Sequence, residues 1–285
     1  MIKIKIGAII QARTGSTRLP NKILKPIPYN SDITALQQVI RRVKQSQIIK
    51  KIIIATTDKT QDDVIIDIAK KEKVEYFRGS ENDVLARYYY AAKENSLDTI
   101  VRITSDCPCI DGDLMDRIIE AYCNNDADYV TNTIERTYPR GLDVEVVSFS
   151  ALEKAHYEAK KDYERDGVCD YIYEHPQEFK LISIKRDDDK DYSNIRITLD
   201  TEEDYMMISA VYDYMYDKNN FFSGEDIINL INNKPWLTFF NKEIRHKLVD
   251  LSYEEELKEA STLLEVQKLN RAQDIINKHI RESGY

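Results

Sequence analysis

Short runs of β-branched and apolar residues alternate with stretches of three- and four-residue apolar spacing, and this alternation constrains the fold more than any other feature of the chain. The runs IKIGAIIQ (4–11), KIIIATT (51–57), TIVRIT (99–104) and DYVTN (128–132) have the composition of strands. Between them, ITALQQVIRRVKQS (33–46), QDDVIIDIAKKEK (61–73), NDVLARYYYAAKEN (82–95) and DGDLMDRIIEAYCNN (111–125) carry helical periodicity. Strand, helix, strand in regular order requires right-handed crossovers and a parallel sheet, whose ligands lie beyond the carboxyl ends of the strands. The loops at 12–24 and 104–110 therefore open onto one crevice. Past residue 140 the pattern loosens. Residues 141–149, 179–185 and 194–200 read as further strands, added at the sheet edge as a partly antiparallel extension. The expected fold class is α/β, a mainly parallel mixed sheet flanked by helices.

The expected organisation is one α/β domain over residues 1–240 followed by a helical extension over 241–285. From residue 252 the chain reads as strongly helical, with Ser252 and Glu255 fitting a capping box. Tyr253, Leu257, Ala260 and Leu264 form a stripe suited to packing or to pairing in a homodimer. With 41 basic against 50 acidic residues the net charge is -9, which disfavours a nucleic-acid footprint and requires any bound anion to be held by a local cluster. No apolar run approaches the ~20 residues of a membrane span. Four cysteines in an acidic chain without an N-terminal apolar segment point to a reducing cytoplasm. The C-x-C of Cys107 and Cys109 does not match zinc-knuckle spacing.

The eight glycines never fall at the spacings of G-x-G-x-x-G or of the P-loop, so a dinucleotide dehydrogenase and a P-loop kinase are both disfavoured. The first strand instead runs into QARTGSTRLPNK (11–22). There Arg13 and Lys22 can neutralise phosphate, Ser16 and Thr17 can donate from hydroxyls, and Gly15 can provide a sharp turn. In RITSDCPCID (102–111), Asp106 follows a strand end, where a carboxylate is a natural ligand for Mg²⁺ that also binds substrate phosphates. Asp200 ends another expected strand in RITLDTEEDY (196–205) and could serve the metal, the N-cap of the following helix, or both.

Six blocks in order, ARTGSTRLPNK, ATTD, ENDVLARYYYAA, RITSDCPCID, PRGLDVEVVS and RITLDTEEDY, resemble the spore-coat polysaccharide type of cytidylyltransferase, related to the acylneuraminate and 3-deoxy-manno-octulosonate enzymes. The similarity runs from about residue 4 to about residue 240. It implies a Rossmann-like nucleotidyltransferase fold that uses CTP and Mg²⁺ to activate a small acceptor, with release of pyrophosphate. By this resemblance Arg13, Ser16 and Lys22 would hold the triphosphate in a loop that begins at Ala12 and includes Gly15. Asp106 and Asp200 would hold Mg²⁺ and, with Arg13 and Lys22, form the catalytic group. Thr57, Asp58 and Arg102 would lie near the nucleoside, and Arg140, Asp143 and Glu145 would line the acceptor side. The chain departs from the pattern at RDGVCDYI (165–172), where Gly167 and Asp170 replace a histidine and a proline.

Two other readings use the same sheet. A nucleotide-sugar glycosyltransferase would leave the cationic loop without a role, and a non-catalytic scaffold would not need Arg13, Lys22, Asp106 and Asp200 together. The histidines at 156, 175, 246 and 279 fall outside every block and read as surface or structural residues.

Overall fold

Residues 4–244 and 252–282 are described in a computed structural model of the chain. The strands β1 (Ile6–Gln11), β2 (Lys51–Thr57), β3 (Glu75–Gly79) and β4 (Thr99–Thr104) run parallel, connected by α1 (Ala35–Val43), α2 (Asp63–Lys71) and α3 (Val84–Glu94). Then follow α4 (Gly112–Asn124), β5 (Tyr129–Thr131), β6 (Glu145–Ser148), α5 (Phe149–Glu158), α6 (Asp162–Gly167) and α7 (Asp170–Glu174). The unit closes with β7 (Leu181–Ser183), α8 (Glu202–Met215) and α9 (Gly224–Asn233). One seven-stranded sheet results, in the order β3-β2-β1-β4-β6-β5-β7, with β6 antiparallel to both its neighbours.

Both faces of the sheet are buried because side chains alternate along each strand. Ala8, Ile10, Ile54, Val101, Ile103 and Val146 join the core built with α1, α2, α4, α8 and α9. Ile9, Ile53, Ala55, Ile100, Tyr129 and Val147 join the core on the opposite face, with α3, α5 and α7. Helix starts are fixed locally. Thr34 and Gln37 form a capping box at α1, and the Asp83 carboxylate accepts from the Ala86 amide at α3.

Several sequence expectations are corrected. β3 was not anticipated, since EYFRG is a half-exposed edge strand with no apolar run. β6 is inserted between β4 and β5, not added at the edge. Residues 194–200 form no strand, only an isolated parallel bridge between Arg140 and Arg196. Their amides are divided instead between two loops, Ile197 N donating to Arg140 O at 2.8 Å and Leu199 N to Asp106 O at 2.8 Å. Thr201, not Asp200, caps α8.

A second unit begins at residue 245. In place of a single helix it contains α10 (Tyr253–Val266), opened by the expected Ser252–Glu255 capping box, and α11 (Asn270–Glu282). Lys268 takes a left-handed conformation at φ 55, and the two helices fold into a hairpin. Ser261 Oγ donates to Asn277 Oδ1 at 2.7 Å across it. No glycine or proline marks that turn, which is why periodicity alone reads through it.

Gly141 holds the 195–197 segment in place. It sits at φ +105, and a Cβ there would lie 2.6 Å from the carbonyl carbon and oxygen of Ile197. Gly141→Ala is expected to lower the melting temperature by roughly 4–8 °C, the equivalent of about 2 kcal/mol in a chain of this size. Calorimetry showing a loss under about 1 °C would contradict this close approach.

Candidate active site

The loop after β1 is built outward from a buried carboxylate. Ala12 N extends the β1–β2 ladder by donating to Ala55 O at 3.1 Å. Thr14 then donates its amide (2.7 Å) and hydroxyl (2.6 Å) to Asp62 Oδ1, and the Thr57 hydroxyl donates to the other carboxylate oxygen. Asp62 is fully buried. It ties the cationic loop to the end of β2 and was not singled out in the sequence, where its only signal is its place just before α2. The loop leaves Arg13 exposed and Ser16 partly so, then returns through buried Leu19 and Ile23. Gly15 does not use its conformational freedom. The positive φ in this loop belongs to Asn21, at 55°. Asp58 is exposed at the end of β2, its amide donating to Gly79 O at 3.0 Å.

Lys22 lies between the two carboxylates expected at the metal. Its Nζ donates to Asp106 Oδ2 and to Asp200 Oδ1, both at 2.7 Å. Arg18 Nη2 reaches Asp200 Oδ2 at 2.9 Å and Arg196 Nη2 reaches it at 3.3 Å. The two carboxylates meet because Asp106 O accepts the Leu199 amide and the Thr198 hydroxyl. Fully buried Asp204 supports them from below, accepting Arg196 Nε and Nη2 at 2.8 Å each and the amides of Asp200 and Thr201. Burial pushes the Asp106 carboxyl up, but the charge and hydrogen bond of Lys22 outweigh it and hold Asp106 below the usual carboxylate range. Burial likewise pulls Lys22 down, and the two carboxylates more than offset it, leaving its pKa raised. The bridge therefore favours folding above the unfolded carboxylate range and below the lysine range, and is lost outside that window.

On the far side of the crevice, Arg102 and Glu145 face one another across β4 and β6 and form a largely buried ion pair. Tyr129 Oη donates to the second Glu145 oxygen at 2.7 Å. The two residues thus form one cluster, although the sequence reading assigned them to different ligands. Asp143 is held by both terminal nitrogens of Arg136, a residue the sequence reading did not select. Arg140 makes no side-chain hydrogen bond among the described residues. Burial, followed by the charge of nearby Arg136, lowers its pKa. Among the described residues no group of three or more His, Cys, Asp or Glu side chains is placed to hold a metal, so the Asp106–Asp200 pair is the candidate.

A sequence model of the cytidylyltransferases matches residues 7–269. The chain belongs to the cytidylyltransferase family. It is 34% identical over 232 residues to the spore coat polysaccharide biosynthesis protein SpsF of Bacillus subtilis, covering 80% of this chain and 94% of that protein. An uncharacterized protein of Methanocaldococcus jannaschii is 38% identical over 244 residues, 86% of this chain and 97% of its own. A solved cytidylyltransferase of Leptospira borgpetersenii superposes with a TM-score of 0.79 at 37% identity, covering 86% of this chain and all of that one. The family is one of CTP-dependent nucleotidyltransferases, a class distinct from the nucleotide-sugar glycosyltransferases.

In this cytidylyltransferase the divergent segment 165–172 packs onto the Arg102–Glu145 cluster. Val168, a β-branched residue, takes φ 68, a strained conformation held by complete burial. Burial, followed by the charge of Glu145, pushes the thiol of Cys169 well up. Gly167 leaves room for Asp170, whose Oδ2 would lie 1.9 Å from a Cβ at that position. The described histidines are held against aromatic rings. His156 stacks on Tyr89 at 4.2 Å, His175 stacks on Tyr171 at 4.1 Å, and His279 meets Tyr253 within the C-terminal hairpin. His246 is outside the described residues.

Burial raises the Asp170 carboxyl to about 6, with Arg102 opposing and Glu145, Glu174 and Asp166 adding to the rise. A raised acid pKa means that the ionised form burdens the fold. The penalty is absent below a pH of about 4, grows through the interval up to 6, and is full above it. Asp170→Asn is therefore expected to raise the melting temperature by about 2–4 °C at neutral pH and by nothing near pH 4. A gain equal at both pH values would remove Asp170 ionisation as its cause.

Proposed function

We propose that the protein transfers CMP from CTP to a small anionic acceptor with Mg²⁺ as cofactor, releasing pyrophosphate, in the cytoplasm and for surface polysaccharide synthesis. The observation that carries this reading is the Lys22 bridge. Two carboxylate oxygens converge on a single cation at 2.7 Å each, directly beside the loop of Arg13 and Ser16. Such a pair suits Mg²⁺, which is commonly bound by one or two carboxylates and otherwise by water and substrate phosphate. When bound, the ion would neutralise phosphate charge at the α-phosphorus and on the leaving pyrophosphate.

The protein's own residues would do the rest. Lys22, released from the carboxylates, and Arg13 would bind the triphosphate, Ser16 would add a hydroxyl donor, and Arg18 and Arg196 would keep Asp200 oriented. Thr57, Asp58 and Arg102 would border the nucleoside. Arg140, lacking a side-chain partner, together with Arg136, gives the acceptor side a cationic character suited to a carboxylate or phosphate. Asp143 has both carboxylate oxygens engaged by Arg136, which favours an acceptor whose attacking oxygen is already anionic. Sugar acids and polyol phosphates meet that requirement. The polysaccharide role is supported by the likeness to SpsF. No described helix is long and apolar enough to cross a membrane, in keeping with work on water-soluble substrates. The amphipathic C-terminal hairpin is the candidate surface for a homodimer.

Pyrophosphate release with Mg²⁺, measured for each of four NTPs against sugar acids and phosphorylated polyols, tests the reading directly. Release with CTP and one acceptor class is expected. Equal release with UTP would defeat the cytosine assignment. Asp106→Asn should reduce kcat by about 10²–10³, the scale of losing one preorganised charge contact at a transition state, and should also lower the melting temperature by about 2–4 °C as its arm of the Lys22 bridge is lost. Near wild-type turnover would take Asp106 out of the metal site. Lys22→Ala should raise the KM for CTP roughly tenfold, the scale of one charged hydrogen bond, and that for the acceptor far less. The reverse pattern would reassign the loop.

A further inference from the structure

Arg87 lies in the first turn of α3, and its side chain is buried to 2% exposure. Its Nε and Nη1 have no hydrogen-bond partner among the described residues. A buried guanidinium left in this state is costly, since desolvation is repaid only by close, well-oriented acceptors. The charges within electrostatic range do not supply them. Arg13 has the same sign, and Asp62 already accepts from Thr14 and Thr57. Asp166 contributes at a distance without a hydrogen bond.

Two further buried polar atoms without partners belong to the same face of the sheet, Gln11 Oε1 at the carboxyl end of β1 and Arg102 Nε on β4. Between these strands Tyr88, next to Arg87 in α3, donates to Ile9 O and Ile103 O and so holds α3 against the strand ends. A buried guanidinium with two unsatisfied nitrogens is better explained by a ligand than by faulty packing. Space for the arginine is itself built in. A Cβ at Gly79, which ends β3, would lie 2.9 Å from Arg87 Cγ. The cation that acts on Arg87, Arg13, belongs to the triphosphate loop.

We propose that Arg87 is a nucleotide-binding residue whose guanidinium, beside Arg13, takes a phosphate oxygen of bound CTP. This rests on the CTP-binding function proposed above and adds to it a residue on the opposite side of the nucleotide from Lys22. It also implies a trade between stability and binding. An unpaired buried cation burdens the free protein, and the anion relieves it.

Isothermal titration of CTP with Mg²⁺ into the wild type, Arg87→Met and Arg87→Lys, alongside melting curves of each free protein, tests the assignment. Arg87→Met is expected to melt at or above the wild-type temperature and to bind CTP at least about tenfold more weakly, the scale of one charge-assisted hydrogen bond. Arg87→Lys should recover part of that affinity. A purely structural arginine would give the opposite result, with a lower melting temperature and CTP affinity within about twofold of wild type, and would overturn the proposal. Unchanged CTP affinity with a raised acceptor KM would also overturn it, moving the anion to the acceptor. Wild-type protein that fails to bind CTP would overturn both this and the function on which it rests.

Discussion

The ammonium of Lys22 between Asp106 and Asp200 is the contact on which the arrangement of the crevice depends. It joins three segments far apart in the chain: the loop after β1, the loop after β4 and the irregular stretch before α8. Without a cation at that point, two partly buried carboxylates would face each other in a region of reduced dielectric, where like charges repel strongly. In the proposed reaction a divalent ion would take the place that the lysine holds between these carboxylates. An ion that enters would free Lys22 for phosphate, so that metal binding and nucleotide binding support one another.

Around this point the mouth of the sheet is supported by a second tier of buried polar groups. Asp62 fixes the cationic loop, Asp204 fixes Arg196 and the backbone at Asp200, and Glu145 fixes Arg102 and Tyr129. Each of these carboxylates accepts at least two hydrogen bonds, as a charge removed from water requires. Arg87, Gln11 and the Nε of Arg102 are exceptions on the same face of the sheet. Exceptions of this kind are expected where a fold is complementary to a ligand and not only to itself.

The parts of the fold that could be read in advance are those with strong local signals. β1, β2 and β4 are apolar runs buried on both sides, and the helices between them keep a regular stripe, so their identity follows from composition and period. β3 escaped because an edge strand needs no apolar run, and 194–200 misled because an apolar alternation was used for docking onto two loops instead of for a ladder. At the candidate site, Arg13 and Asp106 were visible as charged residues soon after strand ends and Lys22 as part of the same cationic loop, while Asp200 stood out only through a strand that does not form. Asp62, Asp204, Arg136 and Arg87 were not, since each is an ordinary helix-entry or loop residue until burial gives it a role.

By itself, the sequence determined the α/β class, the positions of β1, β2 and β4 and the loops that bear charge, because strand and helix periodicity are local and a parallel sheet forces its loops to one edge. Only the tertiary structure decided which charges meet. Lys22 and Asp200 are separated by 178 positions along the chain, and their contact depends on the insertion of β6, the close approach at Gly141 and the bridge from Leu199 to Asp106. No local pattern encodes such pairings, since they are set by long-range packing and by the requirement that every buried charge find a partner.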